Sequence, residues 1–189
     1  MVVTTHHALK EWAVAVNALA KGEIIMLLRK GGIREEGNQF QVSQDQVLLY
    51  PTYEHQKPDL LKDEYASLVT TVTPGWHPEK VSIGSWGKIT HVLMVSEAHR
   101  LASLLPYHIW NEQFATSRFR WKPRQPLYVL LLRTYLLPSI VEIPYLEQYG
   151  GCRSWIDLVP AISLESITPV LDEAEYSQRV TQIQELLDW

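Results

Sequence analysis

The segment Lys21-Gly22-Glu23-Ile24-Ile25-Met26-Leu27-Leu28-Arg29-Lys30-Gly31-Gly32-Ile33 constrains the fold more than any other part of the chain. Ahead of it, Leu9, Trp12, Ala13, Val16, Leu19 and Ala20 recur at three- and four-residue steps, which predicts a helix over 8–21. Gly22 suits the C-terminus of that helix, where a left-handed residue beside a cation is favoured. The uninterrupted apolar run 24–28 then reads as a strand buried on both faces. Arg29, Lys30 and the pair Gly31-Gly32 end it. Such a strand end gathers positive charge and accessible backbone N–H groups in one place, which suits an anion.

The rest of the chain alternates short strands with few helices. Strands are expected at 47–50, 68–73, 81–86, 88–95, 128–137 and 156–158, the third and fourth separated at Gly87. Pro51 is expected to stop the first of these. Residues 35–46 are polar around Gly37-Asn38 and read as a loop, as do residues 52–63. Helices are expected from Ser96, ended by Pro106, and over 111–120. A last helix is expected over about 172–188, with Val180, Ile183, Leu186 and Leu187 as its apolar stripe. So few crossover helices argue against a doubly wound parallel sheet. The expected class is α+β: a partly closed, mainly antiparallel β-barrel with flanking helices. No linker or repeat divides residues 1–189, so one domain is expected.

Composition narrows the function classes. The formal net charge is -4, so the field of the whole molecule does not favour nucleic acid, and any such partner must rely on a local patch. The single cysteine excludes a disulfide framework and a cysteine-rich zinc site, and fits a reducing compartment. The N-terminus lacks a cationic stretch followed by an apolar core. The apolar run 127–137 is broken by Arg133 and is too short to span a bilayer. A cytoplasmic location without membrane contact is expected.

Four blocks occur in order: Ala8-Leu9-Lys10-Glu11-Trp12, Leu28-Arg29-Lys30-Gly31-Gly32-Ile33, Tyr50-Pro51-Thr52-Tyr53-Glu54-His55-Gln56 and Tyr149-Gly150-Gly151-Cys152-Arg153-Ser154-Trp155. Together they resemble a prokaryotic family known as domain of unknown function 1802. A second resemblance is to the ASCH domains of the PUA-like barrel superfamily, whose motif is Gly-x-Lys-x-x-Glu-x-Arg. Gly22 and Arg29 match it, whereas Ile24 and Leu27 stand where the motif has lysine and glutamate. This resemblance implies a PUA-like fold and a reader of RNA or modified bases. The two departures remove polar groups on which hydrolytic members would rely.

Three constellations carry chemistry. Arg29 can hold a phosphate bidentately, with Lys30 adding charge and Gly31-Gly32 allowing close backbone approach; as plain structure, the same residues make a solvated strand end. No Gly-Lys-Ser/Thr follows, so this is not a P-loop. In Tyr53-Glu54-His55-Gln56, a histidine beside a carboxylate suits a general base or the reading of a base edge, making His55 and Glu54 the catalytic candidates. In the third, Gly150-Gly151-Cys152-Arg153, the arginine suits phosphate. Cys152 is a nucleophile only with a base beside it, and is otherwise a small buried thiol. Arg118-Phe119-Arg120-Trp121-Lys122-Pro123-Arg124 interleaves cations with aromatics, as contacts to single-stranded nucleic acid require. The histidines form no metal-binding motif: His6 and His7 are adjacent, and His91 and His99 fall on different elements. Neither a metal nor a cofactor is expected.

The expected function is a binding module for RNA, a nucleotide or a modified base, through Arg29, Lys30, Gly31, Gly32, Tyr53, His55 and Arg153. The alternatives are a hydrolase or nuclease acting on nucleic acid or nucleotide, and a protein-interaction adaptor presenting an aromatic patch around Trp110 and Phe114. Oligomeric state is left open.

Overall fold

The chain opens with strand β1 (Thr4–Trp12) and passes directly into helix α1 (Ala13–Ala20) in the computed structural model, which describes residues 3–30, 34–36, 39–164 and 168–188. Residues 8–12 of the helix predicted over 8–21 are therefore strand, and 13–20 are helix. The three- and four-residue spacing of Leu9, Trp12, Ala13 and Val16 runs across the junction between the two elements. No side chain of its own caps α1; instead the buried Gln56 accepts the Val14 N–H through Oε1 at 3.0 Å. Gly22 has φ +71°, and a Cβ there would lie 2.7 Å from Leu171 Cδ2. Backbone sign and close approach both demand glycine.

Strand β2 (Met26–Arg29) is buried along its whole length. Beyond it, Gly31 and Gly32 lie outside the described residues. Strands β3 (Arg34–Glu36) and β4 (Gln39–Gln41) pair antiparallel where a polar loop was expected. Strand β5 (Gln46–Thr52) continues through Pro51. Its ladder to the next strand covers only Gln46, Val47 and Leu48, so the proline removes no bond on that side. A short helix α2 (Asp63–Ala66) follows. Residues 68–73 form no strand despite their β-branched content, and Leu68 is exposed.

Strand β6 (Lys80–Val95) is continuous where two strands were expected. A Cβ at Gly87 would lie 2.8 Å from Leu132 Cδ2, so the facing strand fills that space and the glycine breaks nothing. Helices α3 (Ala98–Ser103) and α4 (Glu112–Arg120) come next, α4 capped by Asn111, whose Oδ1 accepts the Phe114 N–H at 3.0 Å. Strands β7 (Leu127–Pro144), β8 (Trp155–Ser163) and β9 (Thr168–Pro169) and helix α5 (Glu173–Leu187) complete the fold.

The main sheet has the order β2-β7-β6-β5-β1-β8, with β9 also paired to β7. Its pairings are antiparallel except β1 with β5. Successive β5 residues face different cores. Val47 and Leu49 pack in the cluster of Leu9, α1, β2 and α5, while Leu48 and Tyr50 pack in that of Ala8, Trp86, Ile143 and Ile156. The class is thus α+β and mainly antiparallel, with helices flanking the sheet, as expected. Among the described residues β2 and β8 do not pair, so no ladder closes the sheet. Side chains bridge the gap instead. Arg29, at the end of β2, reaches Glu11 and the Lys10 carbonyl on β1, and Ser154 just before β8.

Candidate functional site

A cleft of about 510 Å³ opens where the carboxyl ends of β1, β2 and β5 meet the turn 150–154 and helix α4. Arg29, Lys30, Tyr53, Glu54, His55 and Arg153, far apart in sequence, all line it.

Arg29 forms its wall. The guanidinium is 2.9 Å from Glu11 Oε2, donates to the Lys10 carbonyl at 2.8 Å and to Ser154 Oγ at 3.2 Å, and is buried with Glu11. Its charge is already matched, so its direct effect is to hold β1, β2 and the 150–154 turn together. The Lys10 ammonium donates to the carbonyls of Tyr149 at 2.5 Å and Gly151 at 2.9 Å, clamping the glycine turn. Burial is the largest influence on it and pushes it below the usual lysine range; Arg153 acts the same way, against Cys152 and Glu54. Gly151 has φ +76°, so the turn needs glycine at that position. Arg153 next to it is exposed and makes no ion pair among the described residues. Cys152 is exposed at the cleft rather than buried as expected of a packing thiol.

The second loop does not assemble a proton relay. Glu54 Oε1 accepts the Gly75 N–H at 2.9 Å, while His55 Nε2 stands 3.8 Å away, beyond hydrogen-bond reach. His55 sits at φ +70° and projects into solvent at the rim. Tyr53 meets Trp76 edge-on, with ring centroids 5.9 Å apart.

Helix α4 supplies the third side. Arg118 stacks between Phe114, 5.6 Å from its guanidinium carbon, and Trp121, 5.5 Å away, and has no carboxylate within 4.0 Å among the described residues. Burial, with the nearby Arg29 charge, holds its pKa below the usual arginine range. The Lys30 ammonium donates to the Phe119 carbonyl. Trp110 is fully buried and stacked on Phe114 at 5.1 Å, so those rings do not form the exposed patch an adaptor would present.

Two features set the chemistry of this cleft. Among the described residues, Lys10, Arg29, Lys30, Arg118 and Arg153 face it against Glu11 and Glu54, a local excess of positive charge on a chain of net charge -4. Trp76 (44 % exposed) and Trp121 (47 %) are the exposed tryptophans among the described residues, and both line it. An anionic ligand with a flat aromatic part matches both. The basic–aromatic run at 118–124 signals Arg118 and Trp121 in the sequence. Nothing local signals Lys10, because its role comes from a turn far along the chain.

A family model described as domain of unknown function (DUF1802) matches residues 8–182. Among solved structures, the chain is similar to the ASCH protein of Zymomonas mobilis at 12 % identity, covering 93 % of this chain and 93 % of that one, with a TM-score of 0.43. A point mutant of the Zymomonas mobilis protein matches at 11 % identity over 96 % of this chain and 99 % of that one, with a TM-score of 0.41. No curated protein matches the sequence.

Proposed function

The chain belongs to the DUF1802 family, and we propose that it is a binding module for RNA or a free nucleotide, holding one base and its phosphate in the cleft. The observation that carries this reading is the sharing of one cleft by Trp76 and Trp121, the exposed tryptophans among the described residues, and by Arg118 and Arg153, which form no ion pair among those residues. Arg153 and Arg118 would hold phosphate, with Lys10 and Lys30 adding charge. Trp76, Trp121 or Tyr53 would stack on the base. His55 at the rim would contact polar base edges. Arg29 would act through Glu11 and Ser154, setting the wall instead of contacting the ligand. The cleft is of a size that holds small molecules, and one nucleotide fits that range. A hydrolytic reading has less support, since the Glu54 carboxylate is engaged by Gly75 and does not orient His55. No helix among the described residues is long and apolar enough to cross a membrane. A cytoplasmic setting accords with the lone, unpaired Cys152.

The test is a tryptophan-fluorescence titration with a short single-stranded RNA and with AMP. Quenching by at least one ligand is expected, and Trp121→Ala should weaken that binding by ~1–3 kcal/mol while leaving the circular-dichroism spectrum unchanged. Absence of binding by both ligands, or a Trp121→Ala protein that binds like wild type together with an equally unaffected Trp76→Ala protein, rejects the proposal.

A further inference from the structure

On a regular strand, neighbouring side chains point to opposite faces, so two adjacent histidines do not ordinarily share a ligand. At His6 and His7 the strand is not regular. The β1–β8 register runs from Thr5 opposite Ile162 to His7 opposite Asp157, so His6 alone faces residues 158–161, which bulge out of β8. The His7 N–H donates to Thr5 Oγ1 at 3.2 Å across this irregular step. The two imidazoles end up together, with ring centroids 4.2 Å apart. Asp157 of β8 completes the group. Its Oδ1 lies 2.6 Å from His7 Nδ1 and 3.8 Å from His6 Nε2. One potential ligand atom from each of the three residues falls within 4.8 Å of the others.

We infer that His6, His7 and Asp157 form a binding site for a divalent first-row transition metal ion, zinc above all. Two imidazoles and a carboxylate are a donor set that zinc accepts, and three protein ligands leave a fourth position open. Zinc bonds of about 2.0–2.2 Å place tetrahedral ligand atoms roughly 3.3 Å apart. The His6–Asp157 distance is already close to that, and the His7–Asp157 hydrogen bond has only to open as the proton leaves. Asp157 is exposed and His7 half-buried, so the open position faces solvent. Arg153 borders the same hollow as His7 and Asp157, a nearby positive charge that the ion must tolerate. The adjacent histidines gave no motif because the third ligand comes from the opposite end of the sequence.

The site stands apart from the nucleotide proposal, and its test uses the metal alone. Zinc is titrated calorimetrically into the full chain, and cobalt(II) is followed by its visible absorption. One ion per chain is expected, bound at least about tenfold more weakly by His7→Ala and by Asp157→Asn, and unchanged by His99→Ala. Asp157→Asn keeps the size of the side chain, so its loss of binding is not a folding defect. Since the ion would join β1 to β8, zinc should raise the melting temperature of wild type and not of Asp157→Asn. The inference is overturned if wild type takes up neither metal at millimolar concentration, if Asp157→Asn binds like wild type, or if His99→Ala loses as much affinity as His7→Ala.

Discussion

His108 shows how one buried side chain makes stability depend on pH. It has no exposed surface, and burial pushes its pKa down to about 4 from 6.5, with the Lys62 charge adding to this. The unfolded chain takes up the proton below its ordinary value, whereas the folded chain resists it until about pH 4. Between those values the unfolded state holds more protons, so stability falls as pH falls through the window. The loss from this group alone amounts to roughly 3 kcal/mol once the pH is below both values. Urea unfolding at pH 7 and pH 4.5 checks this. His108→Leu, which cannot titrate, is expected to lose clearly less stability than wild type over that interval. Equal losses in the two proteins would remove His108 from the account.

At the scale of elements, the notable joint is between β1 and β2, which are four places apart in the sheet order yet meet through Arg29 and Glu11. Removing one partner leaves a buried charge. Arg29→Met is therefore expected to cost ~3–5 kcal/mol in urea unfolding at pH 7, with much of that recovered in the double variant Arg29→Met/Glu11→Leu. Additive losses in the double variant would show that the two residues do not act as a pair. The same joint marks where sequence reading stops. β2 was legible because its apolar run has no alternative, and α4 because Phe114 and Phe119 give residues 111–120 an apolar side. β1 was read as helix because the apolar spacing is continuous across a strand–helix junction, and only pairing with β5 and β8 separates the two. Residues 68–73 have strand-like chemistry but no neighbouring strand to pair with. Arg153 and His55, singled out from a glycine turn and from loop placement, line the cleft. That Arg29 would meet Glu11 was not, since that contact exists only once the sheet has curled.

Over the whole molecule, charge is divided between a net-negative body and a cation-rich cleft. The two act on a polyanion at different ranges. Repulsion from the net charge of -4 is felt beyond contact and is screened within about 10 Å at 0.1 M salt, whereas phosphate contacts in the cleft displace counterions from the strand. Added salt weakens the contacts and also relieves the repulsion, so the overall salt slope of RNA binding understates the number of phosphates held. A difference between variants removes the shared repulsion. Arg153→Gln is expected to flatten the slope of log K against log salt by about 0.7, the value for one phosphate contact on a single strand. Lys21→Gln removes the same charge outside the cleft, at the opposite end of α1 from Trp12, where the Lys21 ammonium lies 4.0 Å from Glu23, and should leave the slope unchanged. Fluorescence titrations of a single-stranded RNA at several salt concentrations measure all three slopes. If Arg153→Gln and Lys21→Gln shift the slope equally, the RNA is responding to net charge, and the cleft holds no phosphate at Arg153.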